Sequence, residues 1–181
     1  MTIVVGIVDD EDKVWVGADS LTSKGDYGFR QSRPKVFKKG EFVFGGTGSV
    51  SEIQHMVYAT ALPPVKEDQD HYDYLINDLF PEFRLKLRAG GRLEKRDGEE
   101  LVGTEMMIGW RGKLFIMGRD FAVIEPYRGY EAIGIGQEYA LGAMNILEKT
   151  DYSPREKIKL AMDAACAHSK GCSPPYTIYS V

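Results

Sequence analysis

Apolar residues recur along this chain with two periods, and the places where the period changes divide it into elements. Residues 2–8 (TIVVGIV) and 13–18 (KVWVGA) are β-branched runs on either side of the acidic stretch DDED, a pattern that predicts a hairpin. A second strand pair is expected in PKVFKKGEFVFGG, with Lys39 and Gly40 at the turn and the glycines after it opening into a helix that begins near Ser49. From Ser51 to Ala61, the residues Ile53, Met56, Val57 and Ala61 fall at helical spacing until LPP ends the pattern. A second helical segment, DHYDYLINDLFPEFRLKLRAGG, sets Tyr74, Leu75, Leu79, Phe83 and Leu87 near one face, and Pro81 is expected to kink or divide it. The polar run GRLEKRDGEE, about residues 91–100, reads as an exposed loop because it has too little apolar area to bury.

Strand patterns then return in TEMMIGW, KLFIMGR, FAVIEPY and EAIGIG. Two further helices are expected in QEYALGAMNILEK and SPREKIKLAMDAACAHSK. The second has a strong start signal, since Ser153 can cap, Pro154 suits a first turn and Glu156 lies three residues after the cap. PYTIYSV closes the chain as a strand. The order of strands, two helices, strands, two helices and a strand argues for an α+β fold in which paired helices cover antiparallel sheets. At 181 residues the expectation is one domain, spanning residues 1–181.

Composition narrows the partners. With 43% hydrophobic and 28% charged residues the chain reads as globular, and its formal net charge of -4 gives no general attraction to nucleic acid. No uninterrupted apolar stretch is long enough for a membrane helix, and the N-terminus lacks the basic segment and apolar run of a signal peptide, so a cytoplasmic protein is expected. In that compartment the two cysteines, Cys166 and Cys172, are expected to be reduced. No cofactor or metal is expected. GIGQEY lacks the third glycine and the βαβ setting of a dinucleotide loop, and Cys166, His168 and Cys172 have no paired second motif.

The candidate chemistry begins at Thr2. A threonine behind the initiator Met suits removal of Met1, after which the α-amine of Thr2, with an ordinary pKa of about 7.7–8.0, can serve as base for its own hydroxyl. By itself a second-position threonine says little. Its company says more: TIVVGI at the start, VGADS at the end of the second strand, RPKVFK further on, FGGTGS before the first helix and AIGIGQEYALGA before the third. In order and spacing these stretches resemble the proteasome β-subunit and the bacterial two-tier threonine protease, members of the N-terminal nucleophile hydrolases, over nearly the whole chain.

The resemblance implies a four-layer αββα sandwich of two antiparallel sheets covered by helix pairs. It matches Thr2 to the nucleophile, Asp19 to the acid of the AD element and Lys35 to the lysine beside the threonine. Gly46 is the match to the glycine whose N–H meets the oxyanion, with Gly45 and Gly48 as alternatives, and Ser173 matches a serine near the C-terminus. Arg33, Phe37 and Phe44 fall where the substrate pocket is expected. Two positions depart from the family pattern: Ile135 stands between glycines where the family has serine, and in KGCSPP a lysine, Lys170, or a neighbour stands where an acid is expected. The function implied is a threonine endopeptidase acting on peptides or unfolded proteins, assembled as a homo-oligomeric ring or related multimer and served by an ATP-dependent unfoldase. Two other functions remain open on the same fold: a small-molecule amidase and a non-catalytic structural or binding subunit.

Overall fold

The computed structural model describes residues 1–24 and 27–181. In chain order the elements are β1 (Ile3–Val8), β2 (Val14–Ala18), β3 (Leu21–Lys24), β4 (Tyr27–Arg30), β5 (Val36–Lys39) and β6 (Phe42–Thr47). Then come α1 (Val50–Gln54), which continues as a π-helical stretch (His55–Ala59), and α2 (His71–Asp73), which continues through a π-helical stretch (Tyr74–Leu79) into α3 (Phe80–Ala89). The second half holds β7 (Glu94–Arg96), β8 (Glu99–Leu101), β9 (Glu105–Trp110), β10 (Lys113–Met117), β11 (Val123–Ile124), β12 (Tyr130–Gly134), α4 (Gln137–Leu147), α5 (Pro154–His168) and β13 (Thr177–Ser180).

Two antiparallel sheets form the centre, one in the order β12-β1-β2-β13 and the other β11-β10-β9-β6-β5. Strand parity decides what each side chain meets, because successive residues of a strand point to opposite faces. Ile3, Val5 and Ile7 of β1 pack with Ala140 and Met144 of α4 and Ile158 and Met162 of α5. Val4, one residue out of phase, packs instead with Val43, Met107 and Leu114 of the other sheet. On that other sheet Phe42, Phe44, Met106, Ile108 and Trp110 turn outward onto Tyr74, Phe80 and Phe83 of the first helical layer. Helices, sheet, sheet, helices is thus the layer order, the αββα sandwich implied by the sequence. Phe42 anchors the outer layer, with ring centroids 4.9 Å from Trp110, 5.5 Å from Phe44 and 5.8 Å from Tyr74.

Several elements follow their sequence signals. Ser49 caps α1 and Ser153 forms a capping box with Glu156 at α5, each hydroxyl accepting from the N–H three residues on. Tyr74, Leu75, Leu79, Phe83 and Leu87 are all buried along one face. Pro81 does divide its segment: the winding is π-helical up to Leu79, the Phe80 N–H still reaching the Leu75 carbonyl, and α-helical from Phe80.

Others differ. Lys39 still pairs with Phe42, so the second hairpin turns at Gly40 and Glu41, with Gly40 at φ +56°. Ala61 lies beyond the helix and is exposed, because the chain leaves helical geometry at Thr60 (ψ 129°). The 91–100 stretch is exposed as expected but is not a structureless loop. Its Asp97-Gly98 pair, both at positive φ, closes the β7–β8 hairpin. The β3–β4 hairpin has no counterpart in the sequence reading, since its described residues carry no buried apolar alternation.

The sheets approach closely at Gly109, where an added Cβ would lie 2.6 Å from both Val14 Cγ1 and Val43 Cγ1. Gly109→Val is therefore expected to lower unfolding stability by about 1–3 kcal/mol, the usual cost of overfilling a packed core. Urea denaturation at fixed pH measures it, and an unchanged midpoint would contradict this packing.

Candidate active site

The head of β1, the end of β2 and the entry to β5 meet at one buried carboxylate. Asp19 is 2% exposed and each of its oxygens accepts two hydrogen bonds. Oδ1 takes the Ile3 N–H at 3.1 Å and Lys35 Nζ at 2.9 Å. Oδ2 takes the Leu21 N–H at 2.9 Å and the Ser173 N–H at 3.3 Å. Pro34 precedes Lys35 and Val36 opens β5, so strand pairing carries the lysine inward rather than leaving it in a solvated basic run. The Lys35 side chain is 7% exposed and also donates to the Leu21 carbonyl.

Thr2 lies one residue before Ile3, at the mouth of the same cluster, and is 8% exposed. Its Oγ1 donates to the Met1 carbonyl at 2.6 Å, and Lys35 Nζ reaches that carbonyl at 3.3 Å. The Met1 carbonyl oxygen thus joins hydroxyl and ammonium. Burial pulls the Lys35 ammonium below its ordinary value of 10.5, and the Asp19 carboxylate opposes that fall.

Gly46 ends the site on the second sheet. Pairing of β6 with β5 stops at Gly45, opposite Val36, while pairing with β9 continues through Gly46 and Thr47. Any side chain at 46 would meet Ile53 of α1, its Cβ 2.8 Å from Ile53 Cγ1. Gly48 is at φ +99°, and a Cβ there would lie 2.0 Å from the Gly103 carbonyl. Both glycines line the pocket beside Thr2, and Gly45 does not; its α-carbon faces Val4 and Val16 between the sheets.

The structure brings Thr2, Asp19, Lys35 and Gly46 to one place. Ser173 arrives through its backbone only, its hydroxyl donating to the Pro174 carbonyl at 3.0 Å. Ile135 donates its N–H to the Thr2 carbonyl at 2.8 Å, and its side chain lies against Gly171 beside Met1 Sδ. Lys170 is exposed. Arg33 and Phe37 line the pocket of about 90 Å³ next to Thr2, but Phe44 is in the aromatic core, 1% exposed, because its strand parity turns it to the helices. The sequence reading missed Thr22, which sits on the unrecognised β3, and Tyr58, which the π-helical stretch brings onto Phe37 at 5.6 Å between ring centroids. Both cysteines are free thiols. Among the described residues no group of three or more His, Cys, Asp or Glu is placed to hold a metal ion, and no helix is long and apolar enough to cross a membrane.

No protein-family model matches the chain, and no curated protein matches it in sequence. Solved structures do match. BPH from Thiobacillus denitrificans in complex with epoxomicin superposes with a TM-score of 0.82 at 19% identity, covering 99% of this chain and 97% of that one. HslV from Trypanosoma brucei gives 0.69 at 16% identity over 98% of both chains, and a mutant of Anbu from Hyphomicrobium sp. strain MC1 gives 0.68 at 16% over 98% and 80%. At such identities the likeness is one of fold: this chain has the proteasome-type N-terminal nucleophile hydrolase fold.

Removing one member of a buried ion pair strands the other, at a cost of roughly 3–5 kcal/mol. Lys35→Met is expected to lose stability of that order in denaturant melts, and Lys35→Met with Asp19→Asn to regain part of it; full additivity of the two losses would contradict the pairing. Between its lowered folded pKa and 10.5 Lys35 has released a proton that the unfolded chain keeps, so its contribution to stability rises with pH across that window. The wild-type minus Lys35→Met stability difference is expected to grow with pH there, and a falling difference would contradict the shift.

Proposed function

We propose that the chain is a threonine-type peptidase in which Thr2, freed by removal of Met1, is the nucleophile. The observation that supports this most is the shared acceptor at the Met1 carbonyl, which brings the Thr2 hydroxyl and the Lys35 ammonium to one oxygen. Loss of Met1 takes that acceptor away and leaves an α-amine on the same residue as the hydroxyl.

In the reaction, the Thr2 amine accepts the hydroxyl proton while Oγ1 bonds to the carbonyl carbon of a peptide. The Lys35 ammonium stabilises the developing alkoxide and keeps the neighbouring amine unprotonated, and Asp19 holds Lys35 charged and in place. Negative charge on the carbonyl oxygen is met by the Gly46 N–H. The amine then protonates the departing nitrogen, and water releases the acyl group from Oγ1. Ser173 acts as a positioning residue through its N–H on Asp19.

With this function go peptide or unfolded-protein substrates, assembly into a homo-oligomeric ring or related multimer, an ATP-dependent unfoldase, a cytoplasmic location and a single domain over residues 1–181. A second reading keeps the same threonine and changes the substrate to small amides. Parallel assays on peptide and small-amide libraries separate the two, since turnover of small amides alone selects the second.

Thr2→Ala is expected to reduce kcat/KM by roughly 10⁴-fold or more, as removal of a catalytic nucleophile does, with an unchanged melting temperature. Thr2→Ser should retain turnover. Undiminished activity in Thr2→Ala would contradict the mechanism.

A further inference from the structure

The pocket beside Thr2 carries an uneven set of charges. Arg33 and Lys35 line it, and no carboxylate does among the described residues. Lys35 is neutralised by Asp19, which leaves Arg33 as the side-chain cation of this lining without a carboxylate partner among the described residues. Its guanidinium lies over the Tyr58 ring at 5.7 Å and enters no salt bridge among the described residues. The Tyr58 ring attracts the cation to the pocket rim, and a guanidinium with no carboxylate partner there is suited to receive one from a bound molecule.

A second observation points the same way. Thr22 lines this pocket from β3, and its Oγ1 is buried with no hydrogen-bond partner among the described residues. A buried hydroxyl is ordinarily satisfied, so an unpartnered one in a pocket wall marks a place where a bound molecule supplies the partner. Phe37, Val50 and Ile53 add apolar wall that suits a short methylene stem, beside the neutral polar side chains of Ser23, Gln31 and Gln54.

From these groups we infer that the pocket selects an acidic residue, glutamate above all, on the acyl side of the bond that Thr2 cleaves. The inference rests on the threonine-nucleophile function proposed above. The methylenes pack on Phe37 and Ile53, the carboxylate accepts from the Arg33 guanidinium, and the Thr22 hydroxyl donates to the same anion. A leucine would fill the apolar part but leave both donors without acceptors. A lysine or arginine would set like charges together.

The test uses the full chain with Met1 removed and fluorogenic peptides that differ only at the acyl-side residue: Glu, Gln, Leu or Arg. The wild-type protein is expected to favour Glu over Gln by at least tenfold in kcat/KM, and rising salt to shrink that ratio because Arg33 is exposed. Arg33→Gln should bring the Glu-to-Gln ratio close to one, and Arg33→Glu should turn the preference toward the Arg peptide. Thr22→Val removes an unsatisfied buried hydroxyl without changing shape. It is expected to raise the melting temperature while lowering the Glu-to-Leu ratio severalfold. Thr2-dependent cleavage of Gln or Leu peptides as fast as Glu overturns the acidic preference and leaves the nucleophile standing. A preference for Glu that survives Arg33→Glu also overturns it. Turnover of no peptide, with Thr2 exposed, overturns the peptidase function and the acidic preference together.

Discussion

Everything near the head of this molecule is organised by the Asp19 carboxylate. It is buried, it accepts from three backbone N–H groups and one ammonium, and those donors come from separate parts of the chain: Ile3 of β1, Leu21 at the start of β3, Lys35 before β5 and Ser173 in the loop after α5. A carboxylate with no exposure can keep its charge only when such donors surround it. Satisfying Asp19 therefore brings the first strand, the entry to β5 and the C-terminal loop to one point. Thr2 is carried there because it precedes Ile3, and Lys35 because it is the only one of the four donors that brings a compensating positive charge.

The rest of the fold makes this point accessible from one side. Strand parity commits alternate residues of β1 to the α4–α5 layer and to the opposing sheet, which leaves the strand no freedom to slip without exposing Ile3, Val5 and Ile7. On the second sheet, the close approach of Ile53 to Gly46 and of the Gly103 carbonyl to Gly48 brings α1 against the end of β6 and shapes the pocket. The π-helical stretch after α1 turns Tyr58 onto Phe37 and Arg33. Scaffold and pocket share their walls, so the chemistry inherits the rigidity of the sandwich.

Much of this was legible in the sequence where local chemistry decides structure. The β-branched run before DDED and the Ser153 and Glu156 pair each act through neighbours a few residues away, and each appears where expected. The grouping of Thr2, Asp19 and Lys35 was legible only through resemblance, since nothing local ties a lysine at 35 to an aspartate at 19. What escaped depends on tertiary contact. The β3–β4 hairpin has no buried face to leave a pattern. The π-helical winding before Pro81 has no residue signature of its own. Phe44 was assigned to the pocket by position, but strand parity sends it to the aromatic core. At Ser173 the contribution is a backbone N–H, which residue type does not reveal.

The central claim is that Thr2 is an N-terminal nucleophile whose amine and hydroxyl act together. The most direct measurement is the intact mass of the purified protein before and after treatment with a peptide epoxyketone, an electrophile that closes a ring with a hydroxyl and an amine on the same residue. The account predicts a chain that has lost Met1 and gains one adduct of the inhibitor's full mass, absent in Thr2→Ala. A chain that retains Met1, or a processed chain that never takes the adduct, would contradict it.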